Sequence, residues 1–501
     1  MSKIIKYWIV GILSIILTFI IAPQGASAAP RTASVNGNWN STATWGGSSV
    51  PGSSDSVTIN SGITVTVPSG YSALCTTINF TTGTAGAAAI NLADATASLT
   101  ASGAVTIQKQ GGGGSSNTIN VGAGTFSAAS VALQGTGANS TRTTNLLIST
   151  GTASISGNIT SLGVYSQLVF SGAGTLNVGG TFMSSTQGTF TASTGTVNFN
   201  GTAQSIAPFA YTFNNVTLSG SGAKTLTNAT INGNLTLSGS ATATTTAAMT
   251  IGGALNVGSG TTFATGATTG WTLTVTGTTT VSGTLLLANT SNKQFRGNTT
   301  ITGTGIWNET GSSAVSFWSN LQNDGSFTAL SGGHDFSGTS KTISGTNAIT
   351  IPGTTTFTAG TYTNSANFTT GTLSFVTSGS FTNNGTTTVS TALSGTGGTF
   401  TQGTNSVLNF AGATLAVNTF SANAVGNTVN YTDAAQTVRA VPYSNLILSG
   451  GGSKTMTSVT TIGNNFSLTG TSTATAASGL TIGGNVSIGT GTTFNGGTAL
   501  T

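Results

Sequence analysis

Acid–base or metal chemistry in this chain would have to come from six acidic residues: Asp55, Asp94, Glu309, Asp324, Asp335 and Asp433. Glu309, Asp324 and Asp335 share one stretch with the single histidine, His334. Two carboxylates flanking a glycosidic bond can hydrolyse it, and carboxylates that hold Ca²⁺ beside a basic residue suit acidic polysaccharides. These three acids are therefore the only catalytic candidates, for a polysaccharide lyase or hydrolase. Their separations of 15 and 11 residues do not match a repeat of about 20. Isolated carboxylates in surface turns are expected instead, with no catalysis. His334 follows two glycines and reads as a loop residue. With no second ligand pair beside it, no metal site is expected, and nothing calls for a cofactor.

Two lysine turns resemble a phosphate loop only superficially. Gly220–Thr225 reads GSGAKT and Gly450–Thr455 reads GGGSKT. A nucleotide loop needs Gly immediately before the Lys, and Ala223 and Ser453 stand there. Tight turns with Lys224 and Lys454 pointing outward are expected, where a charge discourages sheet-edge pairing. Cys75, the only cysteine, lies between Leu74 and Ile78 and is expected to be buried. The Thr-x-Thr runs at Thr64–Thr66 and Thr272–Thr276 follow from strand propensity and are too broken to form a regular ice-binding array.

The elements that must position these residues are short strands. Gly accounts for 73 of 501 residues, only 3% are charged, and 37% are hydrophobic. Thr, Val, Ile and Phe favour strands, while Gly, Asn and Ser supply turns. Residues 197–266 recur at 429–497: Gly220 matches Gly450 and Lys224 matches Lys454. Within the copies, Ile231 and Ile251 are 20 apart, as are Ile462 and Ile482. That spacing is one coil of a stacked repeat. Gly-Thr/Ser-Phe recurs at Gly124–Phe126, Gly180–Phe182, Gly188–Phe190, Gly325–Phe327, Gly379–Phe381 and Gly398–Phe400. It would send aromatic rings into an internal stack. Tandem β-sandwiches also have short, regularly spaced strands, but here no linker interrupts the runs. The expected fold is all-β, a right-handed parallel β-helix (β-solenoid) with an N-terminal cap. Residues 29–70 form the cap, in which Trp39 and Trp45 cover the open end, with Pro51 and Asp55 in the following turn. Residues 71–501 form the solenoid, with a flexible loop at Gln110–Ser115.

Residues 1–28 read as an export signal: Lys3 and Lys6, an apolar run Trp8–Ala22, and Ala26-Ser27-Ala28 for cleavage after Ala28. The apolar run is too short for a retained anchor, so no transmembrane segment is expected in the mature chain. Without Lys3 and Lys6 the chain has 9 basic and 6 acidic residues, unclustered, which argues against nucleic acid as a partner.

The stretch containing Trp39, Trp45, Gly46, Gly47, Val50, Pro51, Gly52, Asp55, Val57, Ile59, Gly62 and Val65 resembles the opening of bacterial secreted β-helix surface proteins, including G8-type modules. Phrases such as TVNFNGTAQSI (Thr196–Ile206) and NLILSGGGSKTM (Asn445–Met456) resemble adhesin and autotransporter-passenger repeats. The resemblance implies an extracellular β-helix at a bacterial cell surface, with no particular activity. Because the second copy of the duplication stops before its partner does, the chain is expected to be a fragment. The function expected is a secreted, cell-surface structural or adhesive solenoid, presenting Thr, Ser and Asn to glycans, to a host or neighbouring cell surface, or to copies of itself. A polysaccharide-active enzyme and a self-assembling fibre or sheath component are the alternatives.

Overall fold

The computed structural model describes residues 28–496 except 113, 138–139, 184–187, 207–210, 228–229, 313 and 477–478. The export signal, with Ala26, lies outside the described residues, and Ala28 is exposed.

Alternation along each strand decides the fold. In Thr196–Phe199 (TVNF), Val197 and Phe199 are buried while Thr196 and Asn198 face outward. A single strand with one apolar face cannot bury it, so the chain stacks the next turn onto it in register. Ile231 pairs with Ile251, and Ile462 with Ile482, both in parallel. The chain is all-β, with parallel sheets wound into a β-solenoid of about 20 turns. A sandwich would need antiparallel hairpins, and the pairing is parallel instead.

Contacts divide the chain into two units. The first is Met1–Val169 with Gln187–Thr189. Its strand Pro30–Ala33 pairs in register with Ser56–Ile59, which pairs with Thr77–Phe80, so winding is already under way in the N-terminal stretch. Trp39 and Trp45 are buried edge to face with ring centres 5.1 Å apart, and the Trp45 indole N–H donates to the Trp39 carbonyl at 2.8 Å. Pro51 is buried. Asp55 accepts hydrogen bonds from the Gly52 and Ala29 amides, both at 3.0 Å, and pairs with Arg31 at 3.3 Å. The Gly52 N–H, more than any other partner, holds its carboxyl below the usual range. Cys75 is buried as expected, and burial pushes its thiol up to about 12.

The second unit comprises Phe170–Thr186 and Phe190–Thr501. Three strands make a turn: Asn215–Leu218, Ser221–Leu226 and Thr230–Ile231, after which Leu235–Leu237 stacks on the first. Its core holds an aromatic ladder. Phe295, Phe317, Phe336, Phe357 and Phe375 occupy successive turns with ring centres 5.9, 5.2, 5.2 and 5.7 Å apart and nearly parallel planes. Of the phenylalanines that follow a Gly turn, Phe182, Phe381 and Phe400 are fully buried here, and Phe381 and Phe400 lie 5.3 Å apart. Glycine permits the tight corners. At Gly360, with φ +86°, a Cβ would fall 1.6 Å from the Gly338 carbonyl oxygen of the preceding turn.

Candidate functional site

Six of the chain's 17 charged residues (11 Lys/Arg and 6 Asp/Glu), with the only histidine, lie between Lys293 and Lys341. Strand alternation sorts them into two groups. Lys293, Glu309 and His334 share the inward side of their strands with Phe295, Trp307 and Phe336, and all three are buried. Arg296, Asp324, Asp335 and Lys341 lie outside the core.

Glu309 is therefore not a surface carboxylate, and His334 is not a loop residue. His334 opens the strand His334–Ser337. Its Nε2 lies 3.0 Å from Glu309 Oε1, and its Nδ1 lies 2.9 Å from the Gly332 carbonyl. A carbonyl only accepts, so Nδ1 carries a proton and donates it. Trp307 Nε1 also donates to Glu309 Oε1 at 3.0 Å, and the Leu330 amide donates to Oε2 at 3.1 Å. His334, Trp307 and the Leu330 amide converge on one buried carboxyl group, and the His334 and Glu309 side chains are both fully enclosed. The residues are 25 apart because they straddle one turn plus a corner.

The three predicted acids are not brought together. Asp324 caps a turn, accepting from the Thr346 amide at 2.9 Å, from its hydroxyl at 3.1 Å and from the Gln322 amide at 2.5 Å. The Thr346 N–H leads in holding its carboxyl below the usual range. Asp335 faces outward, accepting from Ser337 Oγ at 3.2 Å and from the Thr358 hydroxyl. Among the described residues, no group of three His, Cys, Asp or Glu side chains could hold a metal ion.

The lysine turns are corrected as well. Lys224 and Lys454 point inward and are buried. Lys224 Nζ donates to the Gly201 carbonyl and, at 2.7 Å, to Gln204 Oε1, while Gln204 Nε2 donates to the Val178 and Gly180 carbonyls at 2.8 and 2.9 Å. The second copy repeats this arrangement. Lys454 donates to the Asp433 carbonyl and Gln436 Oε1, and Gln436 Nε2 donates to the Phe410 and Gly412 carbonyls. Lys454 and Met456 share the parity that buries both, as do Lys224 and Leu226. Lys293 makes a third buried case, donating to Asn289 Oδ1 at 2.6 Å and to the Ser291 carbonyl.

Burial holds Lys293 and Lys454 down to about 8. Above that pH the folded chain releases two protons that the unfolded chain keeps up to about 10.4, whereas Cys75 keeps one that the unfolded thiol loses at about 8.5. With two lysines against one thiol, stability rises with pH in this window. The denaturation midpoint is expected to climb between pH about 8 and about 9.5, below the range where tyrosines ionise. Replacing both lysines by Met should flatten the climb. A midpoint that stays level or falls in the parent protein would contradict the assignment.

Outward residues on the strands that carry the ladder form a chemically mixed patch. Gln294, Ser316, Asp335 and Thr356 pair in one column along successive turns. Turns are spaced by about 4.8 Å, as in any sheet. Two residues along the same strands stand Arg296 and Trp318. Trp318 is 44% exposed, a large apolar surface beside polar neighbours. The Arg296 guanidinium lies 5.1 Å from the Trp318 ring centre and donates to Gln294 Oε1 at 3.0 Å. On another face of the same unit, Asn198, Thr217, Thr236, Asn256, Thr280 and Thr300 form a second outward column in register. The patch thus combines an indole, a guanidinium, a carboxylate, an amide and hydroxyls over a rigid aromatic floor. No family model matches this chain, and no curated protein matches it either.

Proposed function

We propose that the chain is a secreted, cell-surface structural and adhesive β-solenoid, and that the Trp318 patch is where it meets glycans. The observation that carries this reading is an exposed indole under the Arg296 guanidinium, which also holds Gln294, next to the outward column that includes Asp335. The C–H face of a sugar ring packs on an indole, while its hydroxyls need donors and acceptors at fixed spacing. The patch supplies both. Register with the buried phenylalanines fixes its geometry before any ligand arrives, which lowers the entropic cost of binding. The export signal read in the sequence supports placement outside the cell. A non-catalytic role is supported by the position of the acids, since Glu309 is enclosed in the core while Asp324 caps a turn and Asp335 stands apart on an outward strand face.

Screening the mature chain against neutral oligosaccharides, then titrating the best ligand by calorimetry, tests this. Trp318→Ala should weaken binding at least about tenfold, as removal of a central aromatic anchor does. The protein should keep its parent thermal midpoint, because the side chain lies outside the core. Equal affinity in the variant, or no oligosaccharide bound at all, would refute the site.

A further inference from the structure

A second polar site lies in the first unit, at the corner that follows the strand Ser98–Gln108. Lys109 and Arg142 line one cleft there, together with Thr82, Gln108, Gln134 and Thr136. Gln108 and Gln134 are register partners on adjacent turns, so their amides stand one above the other. Lys109 Nζ lies 4.0 Å from the Tyr165 ring centre and donates to the Gly137 carbonyl at 3.1 Å. Arg142 Nη1 donates to the Gly111 carbonyl at 2.6 Å, while its buried Nε has no partner. Neither cation has a carboxylate. Among the described residues the Lys or Arg paired with a carboxylate is Arg31, with Asp55. The two acids of this unit are engaged elsewhere, Asp55 with Arg31 and Asp94 with Thr96.

Two like charges in one cleft repel, and sequences avoid such placement without compensation. Here desolvation, followed by the charge of Arg142, lowers the Lys109 pKa, while the cations find only carbonyls and a ring as partners. We propose that the Lys109–Arg142 cleft binds the carboxylate or sulfate group of an acidic polysaccharide. The guanidinium and the ammonium provide charge-assisted donors for the anion. The stacked Gln108 and Gln134 amides, with the Thr82 and Thr136 hydroxyls, match the neutral hydroxyls beside it. Every residue of the cleft belongs to the first unit, so the proposal does not depend on the Trp318 patch.

The test uses the mature chain with three size-matched probes: an oligogalacturonate, a sulfated dextran oligosaccharide and unmodified dextran. At least one anionic probe should bind more tightly than dextran, with affinity falling as salt rises. Lys109→Gln with Arg142→Gln should weaken that binding about tenfold or more. Lys341→Gln, which removes a cation of the second unit outside both sites, should leave it unchanged, so that a loss in the double variant reports the cleft and not overall charge. Which anionic probe wins distinguishes carboxylate from sulfate. A second measurement needs no variant: the preferred anionic probe should protect Lys109 from acylation in the parent protein, as read by peptide mass mapping, and dextran should not. Equal binding of all three probes, undiminished affinity in a folded double variant, or no protection of Lys109 would overturn the proposal.

Discussion

Glu309→Ala is expected to destabilise the second unit by at least about 3 kcal/mol, because three buried groups lose their partner at about 1–3 kcal/mol each. The substitution removes the acceptor for three donors at once: His334 Nε2, Trp307 Nε1 and the Leu330 amide. Water cannot replace it without entering a core packed with Phe295, Trp307 and Phe317. Glu309→Gln keeps an oxygen for one or two of these donors, so its loss should be smaller. Replacing both partners by apolar residues, Glu309→Met with His334→Phe, should recover much of the deficit, since well-packed hydrophobes often substitute for a buried pair at little cost. Asp335→Asn serves as the outward control and should change stability by less than about 0.5 kcal/mol. Denaturant titration followed by tryptophan fluorescence measures all four, with Trp307 reporting from within the affected turn. If Glu309→Ala behaves like Asp335→Asn, the buried network around Glu309 does not hold these turns together.

The sequence made the architecture legible because its signal is repetitive. The 20-residue spacing of Ile231 with Ile251, and of Ile462 with Ile482, is the register of the solenoid itself. The Gly-Thr/Ser-Phe units marked part of the aromatic core for the same reason. Orientation of the polar residues was harder. Residue type alone puts Lys224, Lys454, Glu309 and His334 outside the core, since charged residues are seldom fully buried. Strand parity carried the missing information. Each of the four lies two residues from a core side chain: Leu226, Met456, Trp307 and Phe336 respectively. For Lys224 and Lys454 the interior position is tolerated because the preceding turn offers a carbonyl and a glutamine amide to the ammonium. The Lys109–Arg142 cleft could not be read at all from the sequence. Its two cations are 33 residues apart and meet only through turns whose lengths drift.

Phe336→Ala is expected to cost about 3–5 kcal/mol, the range for deleting a buried aromatic side chain. Phe336 is the middle rung of the ladder, 5.2 Å from both Phe317 and Phe357, and it also meets Tyr362 edge to face at 5.6 Å. The turns above and below cannot close the gap, because backbone hydrogen bonds between turns fix their spacing at about 4.8 Å. The cavity therefore persists instead of collapsing. Stability in a stacked array is close to a sum of units and nearest-neighbour interfaces. The damage should accordingly be local: faster amide exchange in Val315–Phe317, His334–Ser337 and Ile349–Ala359, with turns far along the unit unaffected. The same substitution should weaken saccharide binding at the Trp318 patch, since the outward column Ser316–Asp335–Thr356 rides on the strands that bracket the lost ring. Hydrogen exchange by mass spectrometry and the calorimetric titration read the two effects separately. Slowed or unchanged exchange in those three strands would show that the ladder does not hold the turns together, whereas local loosening with intact affinity would detach the glycan reading from the aromatic floor beneath it.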